Sequence, residues 1–185
     1  TNLEFSGLQG APRSILISSP GEGHGELALA TQLAAAFAHA GKRVALVDAN
    51  MRQPVLHAFL GIPNKLGLRD MLKDDLVPQV VTQESKLWRL KYITAGEPTE
   101  DAAELIGSIS LLKALTRLRE QADISIFVGL PFLVAESFLL AARLECVLMV
   151  MRQGRTRISA AQDIKKQLER VRANVVGVVL NGVGK

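Results

Sequence analysis

Residues 14–30 read SILISSPGEGHGELALA, an apolar β-rich run, a glycine-rich turn and an alanine-rich helical pattern. A strand feeding such a turn and helix can hold phosphate, because the first N–H groups of a helix lack intrahelical acceptors and point at an anion. Phosphoryl transfer there also needs a Lys for the β- and γ-phosphates and a hydroxyl for magnesium, spaced GxxxxGK[ST]. After PGEG this chain has His24 at the Lys position, Gly25 at the hydroxyl position and Glu26 in the first helical turn. A neutral imidazole does not replace the Lys charge, and glycine offers a metal no oxygen. The Glu26 carboxylate suits the helix dipole and so competes with phosphate for the same field. Gly21, Glu22, Gly23, His24, Gly25 and Glu26 are the candidate anion-binding stretch. A tight turn that packs helix on sheet is the preferred reading of it over retained anion binding.

Other reactive side chains are sparse. His39 and His57 lie on separate predicted helices, with no ligand-type spacing to His24, so no metal site is expected. The single cysteine, Cys146, sits in the apolar run CVLMVM and reads as a buried strand residue. Asp48 closes the run RVALVD and could cap a turn or a helix, and Asn181, after GVVL, could stabilise a turn.

Strands are expected at 14–18, 43–48, 90–94, 124–128, 146–151 and 174–180. Helices are expected at 26–40, 54–59, 68–73, 102–121, 136–143 and 159–171. Strands alternating with helices, and rich in Val, Ile and Leu, predict a parallel sheet buried on both faces in one three-layer α/β/α domain spanning residues 1–185. Gly41 followed by two basic residues marks the end of the first helix.

Composition narrows the classes. The chain has 185 residues, 48% hydrophobic and 22% charged, ample for a core and too apolar for disorder. One cysteine excludes an internal disulfide and fits a reducing compartment. The longest uncharged apolar stretch, 124–135, is too short to span a bilayer and contains Gly129 and Pro131. Aromatics at 4% argue against a base-stacking nucleic-acid binder. Net charge is +4, and from Arg143 to Lys185 nine Lys/Arg face three Asp/Glu. That basic end, with Arg155, Arg157, Lys165, Lys166, Arg170 and Arg172, reads first as a solvated helix face and second as a surface for an anionic partner.

Taken in order, several segments resemble the cytoplasmic P-loop domain of bacterial tyrosine kinases of capsule and exopolysaccharide synthesis, relatives of the MinD/ParA ATPases. They are TNLEFSG, SSPGEGHGE, RVALVDANMRQPVLHAFLG, LGLRDML, TAGEPTEDAAELIGS and VVGVVLNGV. The resemblance covers essentially the whole chain and implies a P-loop NTPase-like fold with a mainly parallel sheet. Asp48 matches the first Walker A′ aspartate, whose family role is magnesium binding and hydroxyl activation. Asn50 replaces the second, and Val128 in ISIFVGLPFL takes the Walker B aspartate position. Asn181 matches the position where relatives contact the nucleotide base.

With Lys, Ser/Thr and two aspartates replaced, the resemblance implies a tyrosine-kinase-like domain without catalysis, a pseudokinase that regulates or scaffolds exopolysaccharide synthesis and export. No cofactor is then expected, and ATP or ADP with magnesium would bind only through residual loop contacts. The implied partner is a membrane polysaccharide copolymerase, fused or separate, and a homo-oligomer is compatible with it. The implied location is the cytoplasmic side of the inner membrane, in a longer protein or beside one. Two alternatives follow from the same residues: a weak ATPase or tyrosine kinase of that family, and a ParA-like module on DNA or anionic membrane. The one tyrosine, Tyr92, sits in a predicted strand and reads as packing rather than as part of a kinase's tyrosine-rich tail.

Overall fold

The computed structural model describes residues 12–21, 23 and 25–182. The expectations for residues 1–7, Glu22, His24 and Lys185 lie outside the described residues. The first half runs β1 (Ser14–Ser18), α1 (Gly25–His39), β2 (Val44–Asp48), α2 (Leu56–Leu60), α3 (Leu68–Lys73), α4 (Pro78–Val81), β3 (Thr82–Glu84) and β4 (Leu90–Ile93). The second half runs α5 (Ala102–Gly107), α6 (Ile109–Gln121), β5 (Ile124–Val128), α7 (Ala135–Ala141), β6 (Cys146–Arg152), α8 (Ile158–Arg170) and β7 (Val175–Asn181).

The strands form one sheet in the order β3-β4-β2-β5-β1-β6-β7, parallel except where β3 runs antiparallel to β4. β1, β2 and β5 are buried at every position, as strands covered on both faces must be. One face packs on α1 through Leu27, Ala30, Ala34 and Ala38, a stripe at helical spacing. Alanine at three of those four places lets the helix axis approach the sheet closely. The opposite face carries Leu68, Ile106, Leu111, Leu118, Leu140, Ile164 and Leu168 from α3 and α5 to α8. The result is the expected three-layer α/β/α architecture with a mainly parallel sheet.

Local signals explain most boundaries. α1 ends at Gly41, whose φ of +86° only glycine adopts without strain; its N–H donates to the Ala38 carbonyl and the Lys42 N–H to that of Phe37. The helix expected over 102–121 is instead two. Ser108 leaves helical dihedrals (φ −77°, ψ 166°), donates its hydroxyl to the Leu105 carbonyl and accepts from the Ser110 N–H. A serine that satisfies both helix ends outcompetes continuation, so α5 stops and α6 starts. Neither α4 nor β3 was expected, because each is too short to show a period. Among the described residues no helix is long and apolar enough to cross a membrane.

Candidate functional site

In a parallel sheet the loops leaving the carboxyl ends of the strands gather on one edge, and ligands bind there. Here that edge collects the turns after β1, β2, β5, β6 and β7. The β1–α1 turn is tied to the β5–α7 turn. Ser18 donates its hydroxyl to the Leu130 carbonyl, the Phe132 N–H donates to the Ser19 carbonyl at 2.8 Å, and Ser19 Oγ donates to the Gly21 carbonyl at 2.6 Å. Ser137 Oγ donates to the Leu130 and Pro131 carbonyls at 2.9 and 2.8 Å, holding the second turn in place.

Asp48 ends β2 with 0% exposure. Its Oδ1 accepts from the Asn50 N–H at 3.0 Å, and its Oδ2 accepts from the Val55 and Leu56 N–H groups at 2.8 Å each. The carboxylate thus caps α2, whose own N-cap residue, Val55, has no side-chain oxygen to do it. Burial pushes its pKa up, against the opposing pull of these three N–H groups and of nearby His57. Asn50 Oδ1 accepts from the Gln53 N–H at 3.0 Å, so it too closes the turn. Val128 pairs in register with Asp48, is 1% exposed and packs in the apolar cluster beneath α1.

Gly25 opens α1 under the side chain of Asn181: a Cβ there would lie 2.7 Å from Asn181 Nδ2. Asn181 Oδ1 accepts from the Gly182 N–H at 2.8 Å. A cleft of about 620 Å³ opens between the β1–α1 and β6–α8 turns, lined by Gly21, Gly23, Gly25, Glu26 and Asn181 and by Arg152, Arg155, Thr156 and Arg157. A second cleft of about 470 Å³ opens between Asn50, Arg52 and the segment from Val128 to Val134. Of the expected site residues, Gly21, Gly23, Gly25, Glu26 and Asn181 meet in the first cleft, and Gly23 and Glu26 also line the second with Asn50 and Val128. Asp48, paired in register with Val128, is fully buried and lines neither cleft.

The arginines of the first cleft were misplaced by sequence reasoning, which set Arg155 and Arg157 on a helix face. Both precede α8, in the turn where the Arg152 N–H donates to Thr156 Oγ1 at 2.9 Å. The signal was positional, since residues just after a parallel strand face the ligand edge. The lysines farther along α8 fit the solvated reading: Lys165 meets Glu169 at 3.8 Å and Lys166 meets Asp163 at 3.6 Å. Arg52, beside Asp48 in sequence, was also missed; it bonds Glu136 at 2.5 Å and Glu100 at 2.7 Å. Burial raises the Glu136 pKa, and the Arg52 hydrogen bond, a backbone hydrogen bond at Glu136 and the Arg52 charge together more than reverse it, leaving it below the usual range. Cys146 is buried as expected, and burial with the neighbouring Glu145 charge pushes its thiol up to about 12.

The chain is 32% identical over 184 residues to EpsB of Ralstonia nicotianae, a candidate tyrosine-protein kinase, covering 99% of this chain and 24% of that protein. It is 29% identical over 183 residues to the tyrosine-protein kinase YwqD of Bacillus subtilis, covering 98% and 77%. The crystal structure of the chimeric protein CapA2B2 superposes with a TM-score of 0.93 at 28% identity, covering 100% of this chain and 81% of that one. The chain is a P-loop domain of the bacterial tyrosine-kinase family of capsule and exopolysaccharide systems. MinD of Pyrococcus horikoshii, solved with Mg-ADP, shares the fold with a TM-score of 0.77 at 19% identity, covering 93% of this chain and 71% of that one. No protein-family model matches. The chain spans about a quarter of the length of the EpsB proteins. Among the described residues there is no group of three or more His, Cys, Asp or Glu placed to hold a metal ion.

Proposed function

We propose that this chain is a catalytically inactive member of its family, one P-loop domain of a longer assembly that regulates or scaffolds exopolysaccharide synthesis and export. The observation that carries the reading is the Asp48–Val128 pair. Magnesium-assisted phosphoryl transfer needs carboxylate and hydroxyl oxygens converging on one cation. At the matching positions this chain has a valine in an apolar cluster, an Asp48 carboxylate whose two oxygens both accept backbone N–H groups, and a glycine over which Asn181 is packed. These residues do not fit a magnesium ion, so no step is drawn through one.

The family resemblance supports a membrane polysaccharide copolymerase as the partner, fused or separate, with this domain held at the cytoplasmic face of the membrane. A retained fold with an altered site suits a role in which binding and shape, rather than turnover, transmit the signal. The test incubates the chain with magnesium, ATP and a tyrosine-rich tail peptide, with an active relative alongside. The expected result is no phosphotyrosine above the level of an Asp48→Asn variant. Phosphotyrosine formed by the chain and lost in that variant would overturn the proposal.

A further inference from the structure

We infer that the groove at the amino ends of β2, β4 and β5 docks an acidic segment of a protein partner, one apolar side chain entering the groove and a carboxylate meeting Arg89. This surface lies on the opposite edge of the sheet from the turns after β1, β5 and β6. The inference is therefore independent of whether the chain transfers phosphate.

Trp88 is the chain's one tryptophan, and it is 80% exposed in the turn joining β3 to β4. Tryptophan is the kind of residue in which interfaces concentrate their binding energy. The turn around it is well fixed. The Ser85 N–H donates to the Leu90 carbonyl and the Leu90 N–H to the Leu87 carbonyl, both at 3.2 Å, and the Leu87 N–H donates to Ser85 Oγ at 3.0 Å. The Arg89 guanidinium carbon stands 4.8 Å from the Trp88 ring centroid, a cation over an aromatic face. Arg89 itself has a φ of +69°, where glycine is the favoured residue, and the Val44 N–H holds its carbonyl at 2.7 Å. Arginine at that position keeps a strained backbone and gains a cation beside an exposed ring, a combination that points to function.

Beside the ring a groove of about 410 Å³ opens between the sheet and the end of α6. Ala45, Ile93, Leu118 and Ala122 give it an apolar base. Its cations are Arg43, Arg89 and Lys91. Arg43 already meets Asp123 at 2.8 Å and Lys91 meets Glu84 at 2.9 Å. Arg89, and Lys86 in the same turn, meet no carboxylate among the described residues. The surface is thus left with two cations in excess next to an apolar groove, the complement of an acidic segment with an apolar anchor. Two cations are few for a nucleic-acid backbone, whose binding draws on roughly six to ten phosphate contacts. A groove this narrow takes single side chains, where a membrane would need a broad apolar face.

Peptides selected on the whole chain from a random twelve-residue library, then synthesised with a fluorophore, test this by anisotropy. The enriched peptides should carry Asp or Glu beside an aromatic or aliphatic residue, and their unlabelled forms should change the Trp88 emission. Trp88→Ala and Arg89→Gly should each weaken binding at least tenfold. Glycine suits the local φ, so Arg89→Gly should hold or raise the unfolding midpoint while binding is lost, which separates docking from folding. Lys165→Gln, the same charge change on α8, should weaken binding less than threefold. No enriched peptide, enriched peptides without acidic residues, or binding indifferent to Trp88 and Arg89 overturns the inference. Oligothymidylate or phosphatidylglycerol vesicles that change the Trp88 emission, bind more tightly than the peptides and are lost in Arg89→Gly overturn the choice of a protein partner.

Discussion

Asp48 is a fully buried carboxylate with a structural task. Its carboxylate closes the β2–α2 turn through three backbone N–H groups. Asp48→Ala leaves those donors buried without an acceptor, and about 2–3 kcal/mol of stability should be lost in urea unfolding. A loss under about 0.5 kcal/mol would show that the cap is not needed. Val128 makes the reciprocal case. Val128→Asp sets a second carboxylate in register with Asp48 inside an apolar cluster. It should cost about 3 kcal/mol or more and yield no ATP turnover. A stable, hydrolysing Val128→Asp protein would mean that the surroundings still form a metal site. Both roles were only half legible in the sequence. That Val128 stands where relatives carry an aspartate is what the resemblance of ISIFVGLPFL to the family pattern implies. That both Asp48 oxygens accept backbone N–H groups depends on where the chain returns at Val55 and Leu56, seven and eight residues on, which no spacing encodes.

Between elements, Arg52 joins the turn after β2 to the start of α7 through Glu136, whose side chain is 5% exposed. In the wild type Glu136 has a lowered pKa, so its contribution to stability is present above the ordinary value of 4.5 and is lost as pH falls through its folded value. Arg52→Ala removes the cation's hydrogen bond and charge and leaves burial opposed only by the backbone hydrogen bond at Glu136, so that pKa rises. The ionised carboxylate then becomes a cost, so the destabilisation should be larger at pH 7 than at pH 4 in paired urea titrations. Equal penalties at the two pH values would contradict the assignment. Long elements were legible because period and composition agree in them: the Ala-rich stripe of α1 and the all-apolar strands β1 and β5 allow one reading each. The break at Ser108 was not, since its cause is a hydroxyl exchanging one helix's last acceptor for the next helix's first donor. α4 and β3 were hidden because three or four residues carry no periodicity.

At the scale of the whole molecule, the strand order sets which turns meet. β1 lies between β5 and β6, so the glycine turn after β1 faces the β5–α7 turn on one side and the β6–α8 turn on the other. The first neighbour supplies Val128 and apolar backbone, where phosphoryl transfer would need carboxylate. The second supplies arginines. Sequence reading found the glycine turn but took the arginines for a solvated face, because distance along the chain hides adjacency across a sheet. The central claim is that this architecture persists without metal-assisted transfer. The most direct measurement is the rate of ATP turnover by the chain as magnesium is titrated from EDTA to millimolar excess. The account predicts a flat line, the same with Asp48 replaced by Asn; a rate that rises with magnesium and collapses in Asp48→Asn would contradict it.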